Sequence, residues 1–195
     1  IDGITITLNN NGSVAFEGNT ASGSSSAYGG AISGTTVILS DNGSIEFNEN
    51  TATTSDLDDE YDYAYGGAIH GTTIELSDNE SLLFNYNTAI SSGASHGGAI
   101  SGTEITINGN GMVEFYSNEA STSAGRMYYS VASYGGAIYG STVTLRGNDN
   151  VVFRMNRATT SDDLYPVDLR GGAIHGGMIT LNDNGSVIFS ENTTS

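Results

Sequence analysis

The sequence predicts an all-β solenoid, a right-handed parallel β-helix of about six coils, and three observations lead there. The tetrapeptide Gly-Gly-Ala-Ile begins at Gly29, Gly66, Gly97, Gly135 and Gly171, and Phe-x-x-Asn begins at Phe16, Phe47, Phe84, Phe115, Phe153 and Phe189. From the first glycine to the following phenylalanine the distance is 18 residues in all five complete cases, whereas from the Asn to the next glycine pair it is 10, 16, 10, 17 and 15. Within the constant stretch apolar residues recur two apart, the spacing of one face of a strand. A rigid frame alternating with a segment of free length is the mark of stacked repeats.

Each unit is read as three short strands. The first is GGAI itself. The second is T-x-I-x-L, with Ile6, Val37, Ile74, Ile105, Val143 and Ile179 followed two residues later by Leu8, Leu39, Leu76, Ile107, Leu145 and Leu181. The third ends in the phenylalanine, with Val14, Ile45, Leu82, Val113, Val151 and Val187 two residues before it. So small a unit cannot bury its own apolar face, so units must stack, at the ~4.8 Å spacing of neighbouring strands. Each fully buried Ile, Leu or Phe then contributes about 1.5–3 kcal/mol. Parallel crossovers are overwhelmingly right-handed, which sets the expected hand.

Polar residues recur where corners are expected. Asn stands five residues before each phenylalanine (Asn11, Asn42, Asn79, Asn110, Asn148, Asn184) and three after it (Asn19, Asn50, Asn87, Asn118, Asn156, Asn192). Stacked amides can form hydrogen-bonded ladders, and Asn tolerates left-handed backbone. Gly3, Gly34, Gly71, Gly102, Gly140 and Gly176 fit another corner, and the glycine pair serves positive φ or close approach between coils.

Composition narrows the function. The chain of 195 residues has net charge −17, no Lys and no Cys; residues 1–125 carry sixteen acids and no base, residues 126–195 six acids and five Arg. Nucleic acid is excluded as a natural partner, because phosphate binding needs cations that this surface lacks. Anionic membrane surfaces are disfavoured for the same reason, and no apolar run approaches a membrane span. Disulfides and Cys-ligated metals are excluded outright.

Candidate chemistry within the frame reads as structure. All five N-x-S/T sequons, at Asn11, Asn42, Asn79, Asn184 and Asn192, lie on ladder positions. His70 and His175 share one frame position three coils apart, roughly 14 Å at the strand rise, too far to ligate one metal. With His96 they are read as surface or corner residues. Asp41 and Asp78 occupy one slot in adjacent coils, as would suit Ca²⁺ or a glycosidase pair, but Asn10, Gly109 and Gly147 take that slot elsewhere and a turn suffices. The threonine column Thr5, Thr36, Thr73 and Thr142 is broken by Glu104 and Met178, against an ice-binding array. No nucleophile-elbow, zinc-protease or P-loop motif occurs, so no enzyme is expected.

The variable segments, 20–28, 51–65, 88–96, 119–134 and 157–170, hold eight of the eleven Tyr and three of the five Arg. All leave the same corner of the frame and must cluster along one edge. The long ones, 51–65, 119–134 and 157–170, are the candidate binding loops. The first offers Asp56, Asp58, Asp59, Glu60, Tyr61, Asp62, Tyr63 and Tyr65; the second Arg126, Met127, Tyr128, Tyr129 and Tyr134; the third Asp162, Asp163, Leu164, Tyr165 and Arg170. Tyrosine on loops over a rigid support gives contact area at low entropic cost, the composition of recognition surfaces.

Five GGAI paired in phase with six FxxN (FEGN, FNEN, FNYN, FYSN, FRMN, FSEN) resemble the passenger repeats of the chlamydial polymorphic outer membrane proteins and related autotransporter adhesins. The resemblance implies a β-helix displayed on the outer surface, exported through a C-terminal barrel, with a role in adhesion to host cells. The chain is therefore expected to be one repeat segment, 1–195, of a longer surface protein that binds a host-cell protein or glycan through its loops. A stalk without binding of its own and a polysaccharide-processing β-helix enzyme are the alternatives. No cofactor is expected, calcium on the acidic loops remaining open. Exposed coil ends also favour self-association, since unpaired strand edges invite pairing.

Overall fold

The computed structural model describes residues 1–54, 62–123, 131–161 and 167–195. Among them there is no helix, and the strands form four parallel sheets running along the stack, a β-helix solenoid. The first sheet joins Asp2–Asn9, Ile32–Ser40, Ile69–Ser77, Ile100–Asn108, Ile138–Arg146 and Ile174–Asn182. The second joins Ser13–Glu17, Ser44–Asn48, Ser81–Asn85, Met112–Tyr116, Asn150–Arg154 and Ser186–Ser190. The third joins Thr20–Gly23, Thr51–Thr54, Thr88–Ser91, Glu119–Thr122, Arg157–Thr160 and Thr193–Thr194. The fourth joins Ser26–Tyr28, Tyr63–Tyr65, Ala94–His96, Val131–Tyr134 and Val167–Arg170.

The strand count per coil differs from the expected three. GGAI is no strand of its own: its Ile opens the nine-residue strand that continues through T-x-I-x-L, as in Ile32–Ser40. The frame thus supplies two strands per coil, and the variable segments supply the other two. They can do so because each has a small residue aimed inward at its second position; Ala52, Ala89, Ala120 and Ala158 align in one fully buried column.

Registers pair identical residues. Phe16, Phe47, Phe84, Phe115, Phe153 and Phe189 stack with ring centroids 4.7–4.9 Å apart and planes within 6°. Around them the Ile and Leu columns and the Ala of each GGAI complete one continuous apolar core.

Both asparagine ladders form. Asn79 Nδ2 donates to Asn110 Oδ1 (3.0 Å) and to the Leu39 carbonyl (3.0 Å), while its own Oδ1 accepts from the backbone N–H and Nδ2 of Asn42. Asn87 repeats the pattern with Asn118, Phe47 and Asn50. Burial of these amides is therefore matched by hydrogen bonds, which removes the usual penalty. It also commits the Nδ2 of the sequon asparagines to the scaffold.

The left-handed residue is not the ladder Asn but the one before it: Asn10, Asp41, Asp78 and Asp183 in one column, Glu49, Tyr86, Ser117, Met155 and Glu191 in the other. Asp41 and Asp78, both at φ 55, are exposed turn residues, as expected. The two glycines of GGAI divide the work. The first has positive φ, 61° at Gly66, and the second lies so near the next coil that a Cβ on Gly67 would sit 2.1 Å from the Gly98 carbonyl oxygen. Gly34, Gly71 and Gly102, read from sequence as a corner, lie instead within first-sheet strands. There a Cβ on Gly102 would come within 2.8 Å of the Gly71 oxygen.

Two substitutions test this account. Phe84→Ala opens a cavity inside the ring stack and should lower unfolding free energy by about 3–5 kcal/mol in denaturant titration. Asn87→Ala leaves the Phe47 carbonyl and the neighbouring amides unmatched and should cost roughly 2–3 kcal/mol, although it removes no apolar contact.

Candidate binding edge

The third and fourth sheets are built differently from the first two. Their shared interior is lined by alanines and hydroxyls: Thr122 Oγ1 and Ser133 Oγ lie 3.1 Å apart, Ser133 donates to the Thr159 carbonyl (2.7 Å), and Ser95 to that of Ser121 (2.6 Å). In the short units the link between the two sheets is two residues, 24–25 and 92–93. The long units insert their extra residues at this same link. The insertions therefore leave one corner of the coil, as the sequence predicts, but the flanks of each loop are strand.

Thirteen of the proposed binding residues (Asp56, Asp58, Asp59, Glu60, Tyr61, Arg126, Met127, Tyr128, Tyr129, Asp162, Asp163, Leu164 and Tyr165) lie outside the described residues. Of the rest, Tyr63, Tyr65, Tyr134 and Arg170 are brought together on the outer face of the fourth sheet. Asp62 is a correction to the expected exposed loop: it is fully buried and accepts a hydrogen bond from Ser92 Oγ (3.3 Å), and its carbonyl accepts from Ala94 N–H. Its position one residue before the strand Tyr63–Tyr65 sets it against Ser92 and Ala94 of the next coil.

Tyr65 and its companions belong to a larger array. The residue just before each glycine pair forms one column, Tyr28, Tyr65, His96, Tyr134 and Arg170. The residue just after each GGAI forms a second, Ser33, His70, Ser101, Tyr139 and His175. The tight glycine turn sets the columns side by side and their rings interlock. Tyr28 and Tyr65 stack at 5.3 Å with planes 3° apart, Tyr65 and His96 at 5.0 Å, and His96 meets Tyr134 at 5.4 Å and Tyr139 at 4.4 Å. His175 continues the ribbon at 5.0 Å from Tyr134, and the Arg170 guanidinium lies 5.7 Å over the Tyr134 ring. Tyr63 adds an outer ring 6.0 Å from Tyr65. The three histidines, read from sequence as surface or corner residues, are thus parts of one aromatic ribbon, eight rings among the described residues, with His70 tilted against Tyr28 and Tyr65.

The ribbon sets the electrostatics. Burial pushes the imidazoles of His70 and His96 down to about 4 and lowers that of His175 as well. His96 is 7% exposed, ringed by Tyr63, Tyr65, Tyr134 and Tyr139, and its Nδ1 has no hydrogen-bond partner among the described residues. Burial also pushes the phenols of Tyr65 and Tyr134 up to about 12. Tyr134 donates to Asp168 Oδ2 (2.7 Å), and Asp168 pairs with Arg170 at 2.7 Å. The Arg170 and Tyr134 hydrogen bonds hold the Asp168 carboxyl below its ordinary value. Among the described residues no group of three or more His, Asp and Glu is arranged to hold a metal ion.

These shifts give a pH dependence. His70 and His96 titrate near 6.5 when unfolded and about 4 when folded, so as pH falls the unfolded chain takes up protons first. Their contribution is complete above about 6.5 and is lost progressively down to about 4. Thermal unfolding across that interval should show a falling Tm, and His96→Phe, which keeps a ring but cannot titrate, should flatten the slope.

Comparison with known proteins places the repeat. Residues 44–72 and 81–103 match the model of the Chlamydia polymorphic membrane protein repeat. Neither the curated proteins nor the solved structures gave a match. The matched stretches run from the second-sheet strands Ser44–Asn48 and Ser81–Asn85 through the following glycine pairs and take in the variable segments between, so over these two coils the chain is similar to the Chlamydia polymorphic membrane protein repeat.

Proposed function

We propose that this chain is a passenger segment of a bacterial surface protein, displayed outside the outer membrane, that binds a host-cell protein or glycan through one edge of its β-helix and catalyses no reaction. The observation that carries the reading is the common exit point: every long insertion leaves the link between the third and fourth sheets, where two residues suffice. The residues inserted there are not needed to close the coil, and each insertion leads into a fourth-sheet strand only three or four residues long, whose last residue belongs to the ribbon or to the Arg170 that caps it. Similarity to the polymorphic membrane protein repeat supports the surface location.

The test is binding to cultured host cells by the chain and by a variant whose segments 51–65, 119–134 and 157–170 are cut to the nine residues of segments 20–28 and 88–96. The short units form both strands at that length, so the variant should fold, by circular dichroism, and lose most of its binding. Undiminished binding by the folded variant would overturn the role of the insertions.

A second partner is another copy of the chain. The sixth coil exposes Ile179, Leu181 and Phe189 by 40–48%, the continuations of core columns, so the strand edges of this segment can pair coil on coil with another copy. Sedimentation should show concentration-dependent chains of molecules, and Phe189→Asp should reduce them.

A further inference from the structure

We propose that the outer edge of the aromatic ribbon is a track for a neutral, extended β-linked oligosaccharide, at about one sugar ring per coil. The proposal rests on the surface-binding reading and narrows its partner to a glycan.

The first ground is the repeat. Along the ribbon, successive ring centroids lie 5.3, 5.0 and 5.4 Å apart from Tyr28 through Tyr65 and His96 to Tyr134. An extended β-1,4-linked pyranose chain advances per ring by nearly the distance that separates these side chains, a little more than the ~4.8 Å between strands. Successive sugars would therefore meet equivalent positions of successive coils without bending.

The second is what the edge offers. Because the rings face one another along the axis, their faces are occupied and their edges point outward. Each phenol both donates and accepts. Tyr134 is committed to Asp168, while among the described residues the hydroxyls of Tyr28, Tyr63, Tyr65 and Tyr139 have no hydrogen-bond partner. A fixed row of such groups suits a hydroxyl-rich chain. A protein ligand would instead want a deep apolar anchor pocket, the feature of interface hot spots. Since the rings are already held by their neighbours, little side-chain freedom is lost on binding.

The third is a cleft of about 430 Å³ at the Tyr28 end. It lies between Tyr28 and His70, over Ser33, whose side chain is smaller than the His70 that follows it in the column. Asp2, Ser33, Thr35 and Thr72 line it with polar groups, and Tyr28, 43% exposed, supplies one aromatic wall. Polar groups around a single ring fit a sugar, whose faces are apolar and whose rim is hydroxyl. The net charge of −17 disfavours sulfated or sialylated chains.

The experiment is calorimetric titration of the chain with β-1,4-linked N-acetylglucosamine oligomers from the disaccharide to the hexasaccharide, with a heparin hexasaccharide as the anionic counterpart. Affinity should rise with length, by roughly tenfold or more from disaccharide to pentasaccharide, and heparin should not bind. Tyr28→Ala removes an exposed ring, and Ser33→Tyr fills the cleft with a residue that its column already accepts at Tyr139. Both should fold by circular dichroism and weaken binding at least fivefold. Absence of binding to every neutral oligomer, preference for heparin, or unchanged affinity in both folded variants would overturn the proposal. Cell binding without oligosaccharide binding would sink the track and leave adhesion standing; oligosaccharide binding without cell binding would do the reverse.

Discussion

Vertical register is the constraint on which every other feature depends. Each coil must place its Phe, Ile, Asn and Gly over the same residues of the coil beneath, because a slip of one residue would turn the whole apolar set outward. The asparagine ladders enforce this more stringently than the apolar columns do. A phenylalanine can tolerate a small offset against another ring, but an amide buried without its partners carries a penalty that hydrocarbon does not. The left-handed residue ahead of each ladder Asn, and the close glycine contacts between coils, remove the remaining freedom at three of the corners.

With those corners held, the fourth is released. Between the third and fourth sheets the interior narrows to alanines and hydroxyls, whose hydrogen bonds tie neighbouring coils together as well as spanning the turn, as between Thr122 and Ser133. Insertions at this link disturb no large side chain, and the entropy of closing a longer loop grows only slowly with length. The coil is thus divided between residues answerable to the stack and residues answerable to whatever touches the surface.

That division was largely legible in the sequence. Alignment on the phenylalanine brought out the ladders, the core columns and the common exit of the insertions. It hid the ribbon, because in that alignment His96 stands on the variable side of the glycine pair and His70 on the constant side, apparently unrelated. Alignment on the glycine pair itself would have shown Tyr28, Tyr65, His96 and Tyr134 as one column and His70, Tyr139 and His175 as its neighbour. The extra strands were missed for a different physical reason: their inward residues are Ala, Ser and Thr, too small and too polar to register as a buried face, and only the Ala that recurs after the first five FxxN marked them. Asp62 was unreadable locally, since its burial comes from Ser92 in the next coil.

The ladder amides have a direction. Between side chains in both columns, each Nδ2 donates to the Oδ1 of the coil that follows it in the chain and none in reverse, while from the second coil on its other hydrogen goes back to a backbone carbonyl of the coil before, as from Asn79 to Leu39. A finished coil therefore offers amide donors on one rim and acceptors on the other, and the next coil can be laid down in one orientation only. Folding of such a chain resembles templated growth: the first pair of coils is costly to assemble, and each later one copies the surface left by its predecessor. The molecule is a zipper with a preferred direction of closing.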